Sequence, residues 1–448
     1  MISSKAFLRA SILLLATGMS AAYAQSFSAI PFIDSIGLYE NSSNKVPSDH
    51  AAVGRSRAAE IKPLDTNGLS SDSGKIVLLS IGMSNASMEW CGSGQSCLSA
   101  TGNSFMAQVM KNTKVNRSTL EIVNGAESGQ TAFRWTSPAD VNYDMVRDTR
   151  LTPRALSENQ VQVVWLKNAN PSPTVSLPSA NADAYVLENK LASTVRALRV
   201  RYPNLKLVFL SSRIYGGYAV ESNLNPEPFA YESGYSVKWL IQAQMAQMRN
   251  GGIPTDIQAG DLNYNTVSPW IAWGPYLWAN GSAPRSDGFF WSTEDFNWDN
   301  THPSTLGIGK VGSLLLGFFS GSPFTCAWFN AGGCSPPVVI RDVAVRGMKA
   351  PASVKVGATA DIWVEVENAG TVAETFLVTL TDLSTGRAHG VKSVFNLAPG
   401  ASQTLNFSWG TMSAAATGNH NLSASVAALR GEVVTDNNAL GIVVNVTP

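Results

Sequence analysis

Four short runs constrain the first part of this chain more than any other feature: KIVLLSIG from Lys75, LEIVNG from Leu120, VQVVWL from Val161 and LKLVFLSS from Leu205. Each is rich in Val, Ile and Leu and shows no polar alternation, the mark of a strand buried on both faces of a parallel sheet. Between them lie helix-like stretches such as ADAYVLENKLASTVRALRVRY, with apolar residues at three- and four-residue steps. Strand, helix, strand, helix predicts an α/β domain of three layers.

After CSPPVV the texture changes to short alternating runs, DIWVEVENAG, TFLVTLTDL, QTLNFSW, NLSASVAAL and GIVVNV, punctuated by NAG, STG, APG and DNN. That pattern predicts an all-β sandwich of immunoglobulin type. The expected organisation is a signal peptide over 1–24, an extended polar segment over 25–75, an α/β domain over 76–330, a linker over 331–337 and a β-sandwich over 338–448. The two histidines of the last domain, His389 and His420, read as part of its solvated faces.

Length and charge limit the function. A chain of 448 residues suits two domains, and equal numbers of basic and acidic residues give no field to attract nucleic acid. Lys5 and Arg9 precede SILLLATGM, and AYA ends at Ala24, so a secretory signal cut near Ala24 is expected, with a secreted or periplasmic product. The apolar run is shorter than the ~20 residues a membrane span needs, and no transmembrane segment is expected in the mature protein. In an oxidising compartment Cys91 would pair with Cys97, and Cys326 with Cys334. Neither pair has metal-ligand spacing or a nearby histidine, and no metal or cofactor is expected.

Ligands of parallel sheets collect beyond the C-terminal ends of the strands. The residues that follow the apolar runs there are Met83-Ser84-Asn85, Glu127-Ser128-Gly129, Lys167-Asn168-Ala169-Asn170 and Arg213-Ile214-Tyr215. Asp299 and His302, in the stretch WDNTHPS, complete a set of hydroxyl, base, carboxylate and amide donors: the parts of acyl transfer by a serine nucleophile. Pro303 is expected in the first turn of the helix that follows.

GMSN at Gly82 to Asn85, NGAESGQT at Asn124 to Thr131, the run Lys167 to Asn170, and WDNTHPS together resemble the four blocks of the SGNH, or GDSL-like, hydrolases. The resemblance covers about 76–330 and implies a flavodoxin-like three-layer sandwich. It implies a catalytic Ser84, His302 and Asp299, and an oxyanion hole of Ser84, Gly129 and either Asn168 or Asn170, with Asn168 favoured. Met83 stands where that family has an acid, and the third block lacks its usual Gly and Asp. The strand DIWVEVENAG and the turn DNN resemble CARDB-type, immunoglobulin-like modules, which implies contact with a surface or glycan.

The expected activity is therefore a secreted carboxylic ester hydrolase, with acetyl esters of a polysaccharide as the first substrate. The rivals are a lipase or thioesterase of the same class, and a non-catalytic cell-surface protein that binds carbohydrate. The loop PWIAWGPYLWANGSAPRSDGFFW offers aromatic platforms, among them Trp278 and Trp291. Lys167, Arg213 and Tyr215 are candidate substrate anchors.

Overall fold

The computed structural model describes residues 31–93, 97, 100–219, 225–334, 340–411 and 417–448. The expected signal peptide over 1–24 lies outside them, as do residues 335–337 of the expected linker. The chain divides into two compact units that part between Ser335 and Pro336. Among the described residues no helix is long and apolar enough to cross a membrane.

The first unit is built on a parallel sheet of β1 (Ile76–Gly82), β2 (Leu120–Asn124), β3 (Val161–Lys167), β4 (Leu207–Leu210) and β5 (Trp270–Trp273). The strand order is β2-β1-β3-β4-β5, with every pairing parallel. This is a doubly wound order. The four apolar runs are strands β1 to β4, and β1, β3 and β4 are buried at every position. WIAW is the fifth strand.

Because successive side chains point to opposite faces, the sheet feeds two cores. Val77, Leu79, Ile81, Val164, Leu166, Val208 and Leu210 pack with helices α5 (Asp183–Arg201) and α6 (Phe229–Arg249). Leu78, Ile122, Val163, Trp165, Phe209 and Trp270 pack with α1 (Ser48–Ala59), α2 (Ser84–Cys91), α3 (Phe105–Lys111) and α7 (Thr305–Gly321). A short α4 (Val141–Val146) precedes β3.

Two expectations change here. The segment before β1 is not simply extended: residues 48–59 form α1, whose small side chains let it lie close on the sheet. A Cβ on Gly54 would overlap the indole of Trp270, whose Nε1 donates to the carbonyl of His50 at 3.1 Å. His50 Nε2 in turn donates to the carbonyl of Ile271 at 2.8 Å, and burial pushes the imidazole down to about 4, so it stays neutral. The other change concerns Pro303, which lies outside α7. Ser304 is the N-cap, its hydroxyl accepting from the amides of Leu306 and Gly307, and Pro303 bridges back to Phe296.

The second unit has two sheets, ordered β10-β9-β12-β13-β7 and β11-β8-β6. Their strands are β6 (Val343–Lys349), β7 (Ser353–Lys355), β8 (Thr359–Asn368), β9 (Glu374–Asp382), β10 (Arg387–Leu397), β11 (Ser402–Gly410), β12 (Gly418–Val426) and β13 (Ala439–Thr447). Alternation along β8 sends Ile362, Val364 and Val366 inward. The same period on β12 carries His420 inward with Leu422, Ala424 and Val426, so this histidine is buried rather than solvated. Its Nδ1 lies 2.6 Å from the buried Asp382 Oδ2. Burial raises the Asp382 carboxyl, and the hydrogen bonds from His420 and the Ser384 amide outweigh that and hold it below its ordinary value.

One buried acid in the first unit has no counter-ion bond. Glu188 on α5 is 1% exposed, and its Oε1 finds no partner among the described residues. Burial, with Asp256 nearby, pushes its carboxyl up to about 8. The folded protein therefore holds this proton more tightly than the unfolded chain does. Its stabilising effect is complete below the ordinary carboxylate range and is lost as pH rises toward 8. Thermal unfolding of Glu188→Gln should match the wild type near pH 4.5 and exceed it increasingly up to pH 8.5. A difference that stays flat with pH would contradict this.

Candidate active site

The turn from β1 into α2 sets the site. Gly82 ends β1 against the carbonyl of Lys167 on β3, where a Cβ would overlap that oxygen and press on Ala86. The close approach lets the chain turn at once into α2, which starts at Ser84. Beneath it, Asn124 Nδ2 donates to Ser87 Oγ at 2.9 Å and to the Ala126 carbonyl at 3.1 Å, while Ser80 Oγ donates to Asn124 Oδ1 at 2.8 Å. These bonds tie β1, β2 and α2 together at the strand ends.

The second half comes from the loop before α7. Asn297 closes this loop, its amide donating to the His302 carbonyl at 2.8 Å and its Nδ2 to the Pro303 carbonyl at 3.1 Å. Inside it, Asp299 Oδ1 accepts from the amides of Thr301 (3.0 Å) and His302 (2.9 Å). Asn85 Nδ2 donates to the Thr301 carbonyl at 3.1 Å and joins the two halves.

In the assembled site Ser84 Oγ is 2.8 Å from His302 Nε2, and His302 Nδ1 is 2.5 Å from Asp299 Oδ2. The carboxylate accepts only, so Nδ1 carries the ring proton and Nε2 is the acceptor that faces the serine hydroxyl. Burial raises the Asp299 carboxyl, but the His302 side chain and the two backbone amides more than offset it, and the group sits below its ordinary value. Such a hydroxyl, imidazole and carboxylate can activate a serine by general base.

Of the three, Ser84 and His302 open onto a cavity of about 390 Å³ that Gly129, Asn170, Arg213, Asn225 and Thr301 also line, while Asp299 stands behind the imidazole. A larger cavity, about 550 Å³, lies beyond the end of β5 and holds none of the three. Gly129 adopts φ +75°, with open space where a Cβ would stand. Asn170, rather than Asn168, reaches the cavity. Asn168 turns back, its Nδ2 donating to the Gln130 carbonyl at 3.2 Å and its Oδ1 accepting from the Ala169 amide at 2.9 Å.

Arg213 lines the cavity, and its amide is held by Ser233 Oγ at 3.0 Å. Burial lowers its guanidinium to about 10, against the pull of Glu89 and Glu227, so it remains charged at neutral pH.

The other expected anchors lie elsewhere. Lys167 is 2% exposed, and its Nζ donates to both carboxylate oxygens of the fully buried Glu89 on α2, one of them at 2.6 Å. Burial pushes Lys167 down to about 8 and Glu89 upward, each opposed by the charge of the other. Trp291 is wholly buried and donates to the Leu277 carbonyl at 2.8 Å. Trp278 packs on Tyr231 and donates to Glu227 Oε1 at 2.6 Å, and Tyr215 packs edge-on against Tyr218 and Trp278. Trp278 and Trp291 are buried and Tyr215 is half-buried, and none of the three lines the cavity at Ser84. Pro171 and Asn225 escaped the sequence reading, while Asn85, Thr131 and Thr301 stood within its motifs without an assigned role. Asn85 and Thr301 sit beside residues it singled out, but a polar neighbour in a loop carries no sign of direction.

Cys91 is bonded to Cys97 and Cys326 to Cys334, each disulfide closing a local loop. Among the described residues no group of three His, Cys, Asp or Glu side chains could hold a metal ion.

The family model that matches the chain is CARDB, over residues 340–439. The C-terminal unit is a CARDB domain. It is similar to the CARDB domain of a Pyrococcus furiosus protein, whose crystal structure is in complex with di-metal ions, at 24% identity over 24% of this chain and 90% of that one (TM-score 0.21). The solution structure of that domain aligns at 25% identity over 24% and 95% (TM-score 0.21). A β-glucosidase from Listeria innocua aligns over 90% of this chain and 51% of its own at 12% identity, with a TM-score of 0.21, too low to carry an argument. No curated protein matches the chain.

The buried pair beneath α2 has a measurable consequence. Lys167→Met leaves the Glu89 carboxylate buried alone and should cost ~3 kcal/mol or more in urea unfolding. Adding Glu89→Leu should recover most of that loss. A Lys167→Met protein of wild-type stability would show that the pair is not held as described.

Proposed function

We propose that the first unit hydrolyses carboxylic esters through Ser84, His302 and Asp299, as its resemblance to SGNH hydrolases implies. The single observation that carries this reading is the continuous bond path from Ser84 Oγ through the imidazole to Asp299 Oδ2, at 2.8 and 2.5 Å.

In this mechanism His302 Nε2 takes the Ser84 proton as Oγ attacks the ester carbonyl. Asp299 holds the Nδ1 proton and favours the imidazolium that forms. The amides of Ser84 and Gly129 are the oxyanion donors, a role in which a single group is typically worth ~3 kcal/mol, while Asn170 Nδ2 is engaged by the Asp183 carbonyl at 2.8 Å. Collapse of the tetrahedral intermediate releases the alcohol, which receives its proton from His302. Water then attacks the acyl-serine by the same base, releasing the acid and restoring Ser84. Two disulfides in the unit suit export to an oxidising compartment.

Labelling and kinetics test the reading. A fluorophosphonate probe should modify Ser84 in the wild type and nothing in Ser84→Ala. Turnover of a short-chain aryl acetate should fall by ~10³-fold or more in Ser84→Ala and in His302→Ala. The double variant should be little worse than the poorer single one, because the group acts as a unit. A wild type that neither takes the label nor hydrolyses any ester of a broad panel would refute the enzyme.

A further inference from the structure

Glu127 to Gln130 form the turn that carries Gly129 to the cavity. The Gln130 amide donates to the Glu127 carbonyl at 3.2 Å, and Gly129 takes φ +75°, as the third residue of a type II turn does. At its tip this turn has little to rest on. Gly129 is exposed, and beyond its chain neighbours no atom comes within 4 Å of the place where its Cβ would stand. Its amide donates to none of the described residues. The two feet of the turn therefore set where that amide points.

The feet are held differently. The Gln130 carbonyl accepts from Trp135 Nε1 at 3.0 Å and Asn168 Nδ2 at 3.2 Å, and its Oε1 accepts from Asn142 Nδ2 at 3.0 Å. Glu127 has its amide bond to the Gly82 carbonyl, at 3.2 Å, and a side-chain bond from Arg150, whose Nη2 donates to Oε2 at 2.5 Å. Arg150 belongs to a π-helical turn, Arg147–Leu151, that follows α4, a rare geometry that recurs beside functional sites. It is 3% exposed, and Glu127 is its only acidic partner among the described residues. Its Nη1 donates to Thr149 Oγ1 at 2.9 Å, while its Nε has no hydrogen-bond partner among them. Burial lowers the guanidinium, and the Glu127 carboxylate opposes that. Replacing such a buried pair by apolar residues is often neutral or stabilising, so stability alone gives little reason for it. What the pair adds is a directed bond to the looser foot.

We infer that Arg150 is a positioning residue for the oxyanion donor: by holding Glu127 it fixes the direction of the Gly129 amide. The catalytic consequence rests on the ester-hydrolase reading above; the brace on the turn does not. Arg150 does not line the cavity at Ser84, so its effect passes through Glu127. Loss of an oxyanion donor typically lowers turnover about 10²–10³-fold, and a displaced donor forfeits part of that.

Kinetics and hydrogen exchange on the full-length protein test the two parts separately. In Arg150→Met, kcat for a short-chain aryl acetate should fall about tenfold or more while KM stays within about threefold, because the donor acts on the transition state. Arg150→Lys, which keeps a cation for the carboxylate, should recover much of the loss. Adding Glu127→Gln to Arg150→Met should cost little further, since both act through one bond. Exchange over residues 124–132, read by mass spectrometry, should quicken about tenfold in Arg150→Met while residues 297–303 keep their wild-type rate. Should Arg150→Met fail to fold, Glu127→Gln alone should show a smaller fall in kcat at unchanged KM, and wild-type turnover there would refute the role. Wild-type kcat in Arg150→Met, an equal loss in Arg150→Lys or additive losses in the double variant would each overturn the inference. So would unchanged exchange over 124–132, or exchange that quickens across the whole unit, the sign of a merely structural pair. A wild type that takes no fluorophosphonate and hydrolyses no ester, with the exchange response intact, removes the hydrolase and leaves the brace.

Discussion

The close approach of Gly82 to the Lys167 carbonyl is the contact on which the first unit depends. It brings β1 hard against β3 and ends it there, so that the chain must turn immediately. The helix that follows presents Ser84 at its first residue, at the C-terminal edge of a parallel sheet, where ligands of such sheets gather. Any side chain at Gly82 would push β1 and β3 apart and move Ser84 with them. The Glu89–Lys167 pair fastens the same junction from within, joining α2 to the end of β3 through a bond that is costly to break in a dry interior.

His302 reaches Ser84 from 218 residues away, with Asp299 on the same loop. They can do so because α7 packs unusually close to α3. Gly309 and Gly312 face Asn103, Phe105 and Gln108, with no room for a Cβ, and Gln108 Nε2 donates to the Gly309 carbonyl at 3.0 Å. Two glycines in an apolar helix lower its intrinsic stability, and here they allow the docking that places the loop before α7 over α2. The Ser304 cap then fixes where the helix begins, and the Asn297 bonds fix the loop that carries Asp299 and His302.

The aromatic stretch from Trp270 to Trp291 gives most of its large rings to the fold. Trp273, Tyr276, Trp278 and Trp291 give their rings to the cores on either side of the sheet, and their N–H and O–H groups find partners within the protein. Burying such rings is the larger gain for the fold, so the many aromatics of this stretch are not by themselves a binding surface.

By itself, the sequence determined the parallel sheet, the appended β-sandwich, the two local disulfides and the spacing of Asp299 and His302. Each of these is local: a run of Val, Ile and Leu, a period of two, a short gap between cysteines, a three-residue separation. Where the signal was local but weak, the reading slipped. The small residues of α1 carried no apolar stripe because close packing on Trp270, rather than a hydrophobic face, holds that helix in place. His420 could have been read inward from its step of two to Leu422 and Ala424, had polarity not suggested a surface. Other choices were made only by the tertiary structure. Nothing in the order Lys167-Asn168-Ala169-Asn170 says which side chains reach the cavity, and Lys167 and Arg213 look alike as cations after a strand. Direction at a strand end depends on what the neighbouring elements offer. Glu89 claimed the lysine, the Gln130 carbonyl and the Ala169 amide took Asn168, and the Asp183 carbonyl took Asn170 Nδ2 at the cavity wall, because a buried polar group turns toward whichever partner satisfies it.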